Sequence, residues 1–327
     1  MIRISQKGFT LIELMISIVL GLMVSAAAVQ LFLTGQRSLS LQQGSANLQN
    51  SASFGLEYIL HDVRLANLGA SIPAIDPTVL HGGLVMGKAN LTNLADLTQF
   101  TITGAATSNS LMTAGEVGLS NLKNQKSDQL VIQYKNMKDP QSGIPLNQYD
   151  CEGKVIPADA YIVQRYFIRE DSNNNDPNKP LALACKATSY TADDTTTLNN
   201  LNGNGEIIIP RVDHMHILLG VGRDGMKSDC SASADPDGKL DCFGYIKLKN
   251  YLALTNKPQV ISIKLALLVR SPDSVGKHDL TNAGLTYKLY DINQPLKDDA
   301  NNNLYVREVV TQTVALRNGF GLQEEVK

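Results

Sequence analysis

From Phe9 to Leu33 the chain reads FTLIELMISIVLGLMVSAAAVQLFL, an apolar run interrupted by one carboxylate, Glu13, and one amide, Gln30. As a helix it is about 37 Å long, enough to cross a hydrocarbon core of ~30 Å. Arg3 and Lys7 precede it with no acidic residue, which predicts a cytoplasmic N-terminus and puts the rest of the chain beyond the membrane. The helical pattern then continues without proline from Thr34 to Asn67. Leu41 and Leu48 are one heptad apart, and Ala52, Leu56, Ile59, Val63 and Ala66 come next at alternating steps of four and three, which is a single helical face. Phe54, Tyr58 and Leu65 broaden that face, as a helix lying on a sheet requires. Asn67 and Gly69 suit a helix end, and Pro73 forbids its resumption. The pattern thus predicts one helix of about 90 Å from Phe9 to near Leu68, half for the membrane and half for a globular head. Gly21, ahead of Ala26 to Ala28, reads as a bend or as part of a small-residue packing surface.

Beyond the helix the period shortens to that of strands. Strands are predicted at Phe100 to Thr103, Gln129 to Tyr134, Ala160 to Arg169, Gly205 to Ile209, Val212 to Val221, Tyr245 to Leu248, Val260 to Arg270, Leu285 to Tyr290 and Leu304 to Leu316. VISIKLALLV, from Val260, alternates and then turns wholly apolar, as a central strand does. Residues 135–160 and 170–205, rich in Asp, Asn, Pro and Gly, read as excursions. No repeat or linker divides the region beyond the helix. The expected fold class is α+β: a transmembrane helix at 9–33, its amphipathic continuation at 34–68, and one β-rich head at 69–327.

Composition changes little in this picture. The net charge is −2 and no basic run occurs, so a general nucleic-acid binder is not expected. Cys151, Cys185, Cys230 and Cys242 all lie beyond the membrane span, and an even count in an exported domain favours disulfides. Of three connectivities, Cys151–Cys185 and Cys230–Cys242 are favoured, because each pair brackets a turn-rich loop. Each would staple a surface loop by about 2–4 kcal/mol. No C-x2-C spacing supports zinc. No nucleophile elbow, P-loop, HExxH or dinucleotide fingerprint appears, so an enzyme is not expected. His214 and His216 would share one strand face, but no third metal ligand is evident. Asp171, Asn173 and Asn175 open like a calcium loop that lacks its later ligands. Asp235, Asp237 and Asp241 offer oxygens for a possible Ca²⁺; the ordinary explanation of both acidic loops is solvated turn chemistry. No other cofactor is expected.

Three fates suit the N-terminal segment: a plain anchor, a secretory signal cut after Ala28, or a third that rests on Lys7-Gly8-Phe9-Thr10-Leu11-Ile12-Glu13-Leu14-Met15. Glu13 discriminates among them, since a carboxylate in an apolar span costs a few kcal/mol and needs a partner that neither of the first two provides. The nine residues resemble the class III signal of type IV prepilins and pseudopilins. The resemblance implies that residues 1–8 are a leader, that prepilin peptidase cuts between Gly8 and Phe9, and that Phe9 is then N-methylated. It also implies that Glu13 meets the Phe9 amine of a neighbouring subunit in a filament.

Further along, YILHDVRLANLG (from Tyr58), RVDHMHILLGVGRD (from Arg211), LALLVRS (from Leu265) and VALRN (from Val314) resemble PilW-type minor pilins, in the family's order. Residues 70–130 carry little of this likeness, and the Cys151 to Asn204 inserts carry none of it. The resemblance implies a subunit of the inner membrane with a periplasmic head. It would join other minor pilins and the major pilin through its N-terminal helix, prime a type IV pilus and stay at the tip, where a tip adhesin is a possible partner. The type II secretion pseudopilin J is similar in architecture. A head that binds a surface or incoming DNA directly is the other alternative, although no aromatic-interleaved basic groove supports DNA.

Overall fold

The computed structural model describes residues 8–105, 110–145, 149–172, 180–191, 196–225, 239–276, 279–281, 284–298 and 304–319. Its spine is helix α1, Leu11–Leu65, 55 residues and about 82 Å long. The helix starts two residues later than the apolar pattern because Thr10 is its cap. It stops at Leu65 because Ala66 is extended and Asn67 takes a left-handed conformation, φ 68°. It passes through Gly21 as unbroken helix, so the chain does not melt there.

Among the described residues, thirteen strands come after it. One antiparallel sheet has the order β2 (Ala114–Gly118), β3 (Ser127–Lys135), β4 (Tyr161–Glu170), β5 (Leu181–Tyr190), β7 (Glu206–Ile209). A second has the order β13 (Arg307–Ala315), β10 (Gln259–Arg270), β8 (Val212–Arg223), β9 (Cys242–Lys247). A hairpin of β11 (Thr286–Leu289) and β12 (Ile292–Pro295) and a short parallel pair, β1 (Thr101–Ile102) with β6 (Thr197–Leu198), complete the set. A short helix, α2 (Leu248–Ala253), succeeds β9.

Two expectations are corrected here. Residues 170–205 are not a simple excursion: β5 lies within them, pairing with β4 from Tyr161↔Tyr190 to Glu170↔Leu181. The strand predicted at Tyr245 to Leu248 begins at Cys242 and gives way to α2 at Leu248, so that Leu248 and Tyr251 turn into the core.

Leu48, Ala52, Leu56, Ile59 and Val63 of α1 pack into one core with Leu130, Ile132, Tyr166 and Leu183 of the first sheet. Met215, Ile217, Leu265 and Leu267 of the second sheet share that core. The second half of α1 therefore lies across both sheets, and its apolar face fills the core that they share. Gly55 allows this close approach, since a Cβ there would run into the Ile209 side chain. Where the sheets abut, Ser127 and Asp128 accept from the main chain of β8: Met215 N to Ser127 Oγ is 3.1 Å and Ile217 N to Asp128 Oδ2 is 2.7 Å. The far side of the first sheet is covered by Val85, Leu91, Phe100 and Met112 from the segment before β2.

Candidate functional site

The N-terminal end of α1 is built by a capping box. Thr10 Oγ accepts from the Glu13 amide (3.3 Å), while Glu13 Oε2 accepts from the Thr10 amide (3.0 Å) and from the Thr10 hydroxyl (2.9 Å). The Glu13 carboxylate is thus held by its own chain, at the positive end of the helix dipole. Gly8 is exposed and a Cβ on it would meet nothing within 4 Å, so the Gly8–Phe9 peptide bond stands clear of the protein. Phe9 is 89% exposed, and the large apolar side chains from Leu11 to Leu33 are exposed as well. This half of α1 is long and apolar enough to cross a membrane and buries nothing against the head.

The other end of α1 is closed by the far end of the chain. The Asn318 side-chain amide donates to the carbonyls of Arg64 (3.2 Å), Leu65 (3.4 Å) and Ala66 (3.1 Å). Asn67 returns the contact, donating to Asn318 O at 2.8 Å, and its Oδ1 accepts from the Gly83 amide at 2.7 Å. These bonds occupy carbonyls that every helix leaves open at its C-terminus. Two stretches that the sequence offers only as separate markers, around Asn67 and around Asn318, are one contact in space.

One turn earlier, Asp62 is buried under α1. Tyr166 of β4 donates to its Oδ2 at 2.6 Å, and His61 Nδ1 lies 3.2 Å from Oδ1. In the orientation its neighbours dictate, the Gln164 amide nitrogen also donates to Asp62 Oδ2 (2.8 Å), and its oxygen accepts from the Cys151 amide (3.2 Å). Burial raises the Asp62 carboxyl above the ordinary 3.8 against the pull of these hydrogen bonds. Burial and then Asp62 itself push the Tyr166 hydroxyl well above 10.

Beside this group Cys151 and Cys185 form a disulfide, Cα–Cα 6.1 Å, closing a loop of 34 residues. It is no surface staple, as the loop composition suggests. Both cysteines lie in the main core, because Cys185 is on the inward face of β5 with Leu183 and Ala187. Cys242, at the start of β9, is also disulfide-bonded; Cys230 lies outside the described residues, as do Asn173, Asn175, Asp235 and Asp237. Asp241 is described, and its amide donates to Arg223 O at 2.9 Å. Asp171 likewise uses its amide, on Pro180 O at 2.7 Å. Among the described residues no three His, Cys, Asp or Glu side chains gather as a metal site.

Residues 3–29 match the prokaryotic N-terminal methylation motif, and residues 165–318 match the family described as type IV pilus-assembly protein W, PilW. Together the two matches take in more than half of the chain. The second runs from Arg165, in β4, to Asn318, the residue that closes α1, and includes residues 165–204, where the motifs alone gave no likeness. Among solved structures the chain is similar to the type IV-like pilin TTHA1219 from Thermus thermophilus. That similarity has 10% identity and a TM-score of 0.38, over 83% of this chain and 96% of that one. No curated protein sequence matches significantly.

Proposed function

We propose that the chain, which matches the PilW family of type IV pilus-assembly proteins over residues 165–318 and the N-terminal methylation motif over residues 3–29, is a structural minor pilin that primes a pilus and stays at its tip. Residues 9–33 hold the precursor in the inner membrane, with the N-terminus in the cytoplasm and the head in the periplasm. Prepilin peptidase cuts the exposed Gly8–Phe9 bond and N-methylates Phe9. The subunit then joins other minor pilins through the first half of α1, the major pilin extends the complex, and the head faces partner subunits or a tip adhesin.

The observation that carries this reading is Glu13, a carboxylate on an otherwise bare apolar helix whose donors, the amide and hydroxyl of Thr10, are both uncharged. A hydrogen-bonded but uncompensated charge is costly in hydrocarbon. Cleavage at Gly8 creates a cationic amine at Phe9, and the amine of a neighbouring subunit gives Glu13 the countercharge its own cap lacks.

Intact-mass and N-terminal analysis of protein from membranes, with and without the peptidase, tests the proposal. A species beginning at methylated Phe9, seen only with the peptidase, is the expected result. A species beginning at Val29, or retention of Met1, overturns it. Deleting the gene should lower pilus number and leave protein secretion intact; the reverse would assign the subunit to a secretion system. Glu13→Val should lower pilus number while leaving the amount of protein in the membrane unchanged.

A further inference from the structure

His214 and His216 stand on the outer face of β8 and take no part in the assembly site. Their rings are 6.4 Å apart and their surroundings are opposite. His214 meets hydroxyls, Ser120 Oγ at 2.8 Å and Ser127 Oγ at 3.3 Å on Nδ1. His216 meets carboxylates on both ring nitrogens: Nδ1 lies 2.9 Å from Asp128 Oδ2 and Nε2 lies 2.9 Å from Asp291 Oδ1. A neutral imidazole has one protonated nitrogen and would turn its other lone pair toward an anion. Two carboxylates at hydrogen-bond distance, one on each nitrogen, are satisfied by the imidazolium.

The three residues come from three separate parts of the head. Asp128 begins β3 in the first sheet and also accepts from the amides of Ile217 (2.7 Å) and Glu116 (2.8 Å). His216 is in the second sheet, and Asp291 is in the turn between β11 and β12. That hairpin covers the second sheet, where Leu289, Ile292 and Leu296 pack on Ala266 and Leu268 of β10.

We propose that His216 is doubly protonated in the folded head and that its imidazolium is a pH-dependent latch, holding the turn of the β11–β12 hairpin against the junction of the two sheets. The charged groups around it fit this role. Lys247, on β9, is a second cation on Asp291 at 2.5 Å, with Glu116 of β2 beyond it. On β10 the residue opposite is Ala266, which is apolar. On β8 itself His214 is held neutral, drawn down to about 3 by burial and then by the positive charge of His216. For His216, burial pulls the ring below 6.5, but Asp128 and Asp291 outweigh it and hold the ring above that value. A raised folded-state value means that the latch is fully engaged below about 6.5 and is lost as pH rises through the folded value. Because opening the hairpin removes Asp291 and leaves Asp128 in place, each pH unit that Asp291 adds to this shift is worth about tenfold in the ratio of closed to open hairpin.

The test uses the full chain in detergent with ¹⁵N-labelled histidine. One histidine should keep both ring nitrogens protonated at pH 6 and titrate above 6.5, and its signal should vanish in His216→Gln. A His216 with a bare nitrogen at pH 6 overturns the proposal. Hydrogen exchange of residues 286–295, corrected for intrinsic rates, provides the second readout. In the wild type it should accelerate as rising pH takes the proton from His216, by at most about tenfold per unit. In Asp291→Asn, which keeps the shape of the turn, exchange should be faster at pH 6 and lose most of this pH dependence. A slow hairpin with an unchanged pH response in Asp291→Asn also overturns the latch. Should His216→Gln fail to fold, the wild-type titration and Asp291→Asn decide the matter without it.

Discussion

Glu13 and Asp62 are carboxylates of one helix, each set among apolar neighbours, and the chain treats them differently. Asp62 lies where α1 crosses the first sheet, and the head brings Tyr166 and Gln164 to it, beside His61 of the helix itself. Glu13 lies where α1 has left the head, and its own cap is all that it has. The same contrast holds for the apolar side chains: Leu56, Ile59 and Val63 are buried, while Leu11, Leu22 and Phe32 are exposed. The difference teaches how to read a long helix. A half whose polar groups and apolar face are both satisfied within the chain is structural. A half whose apolar face is bare and whose carboxylate has no countercharge leaves those needs unmet within the chain.

Leu56→Ala and Leu22→Ala should sharpen that contrast most. The first opens a cavity beneath α1 and should lower head stability by about 2–5 kcal/mol. The second removes the same atoms from the exposed half and should stay within about 0.5 kcal/mol in detergent. Thermal unfolding of the full chain measures both, and equal losses would break the comparison. Next in size is Asn318→Ala, which takes the donor from the last carbonyls of α1 and should cost about 1–3 kcal/mol. Faster hydrogen exchange should then appear in the last turn of the helix.

The smallest effect belongs to Asp62→Asn. With its folded-state value raised above 3.8, Asp62 holds its proton better in the folded head than in the unfolded chain. The head therefore loses stability as pH rises from 3.8 through that folded value. Asp62→Asn should remove this loss and be neutral or mildly stabilising at pH 7. A marked destabilisation by Asn would mean that the negative charge itself holds α1 on the sheet.

The helix was legible because its period extends over more than fifty residues, and Glu13 because a charge in an apolar run stands out. β5 was not legible: LALACKATSY is short-chained and alanine-rich, with weak strand propensity. It forms a strand because it lies between β4 and β7, where Ala182, Ala184 and Cys185 are buried. The pairing of Cys151 with Cys185 could be read from spacing, but its place in the core could not, since that depends on which face of β5 turns inward. The carboxylates on His216 were hidden for another reason. Asp128, His216 and Asp291 are separated by 88 and 75 residues, and no local pattern links them.

The Asn318 contact has a consequence in time. The residue that finishes α1 is made 252 positions after Ala66. At roughly 5–20 residues per second, translation separates the two by about 12–50 seconds. The exposed apolar half is thus complete long before the head can close upon its helix, and β13, an edge of the second sheet, arrives just ahead of Asn318. A truncated chain would keep that exposed half yet leave the end of α1 frayed. Completion of the helix therefore reports that synthesis reached at least residue 318, a check on the whole head made by one amide.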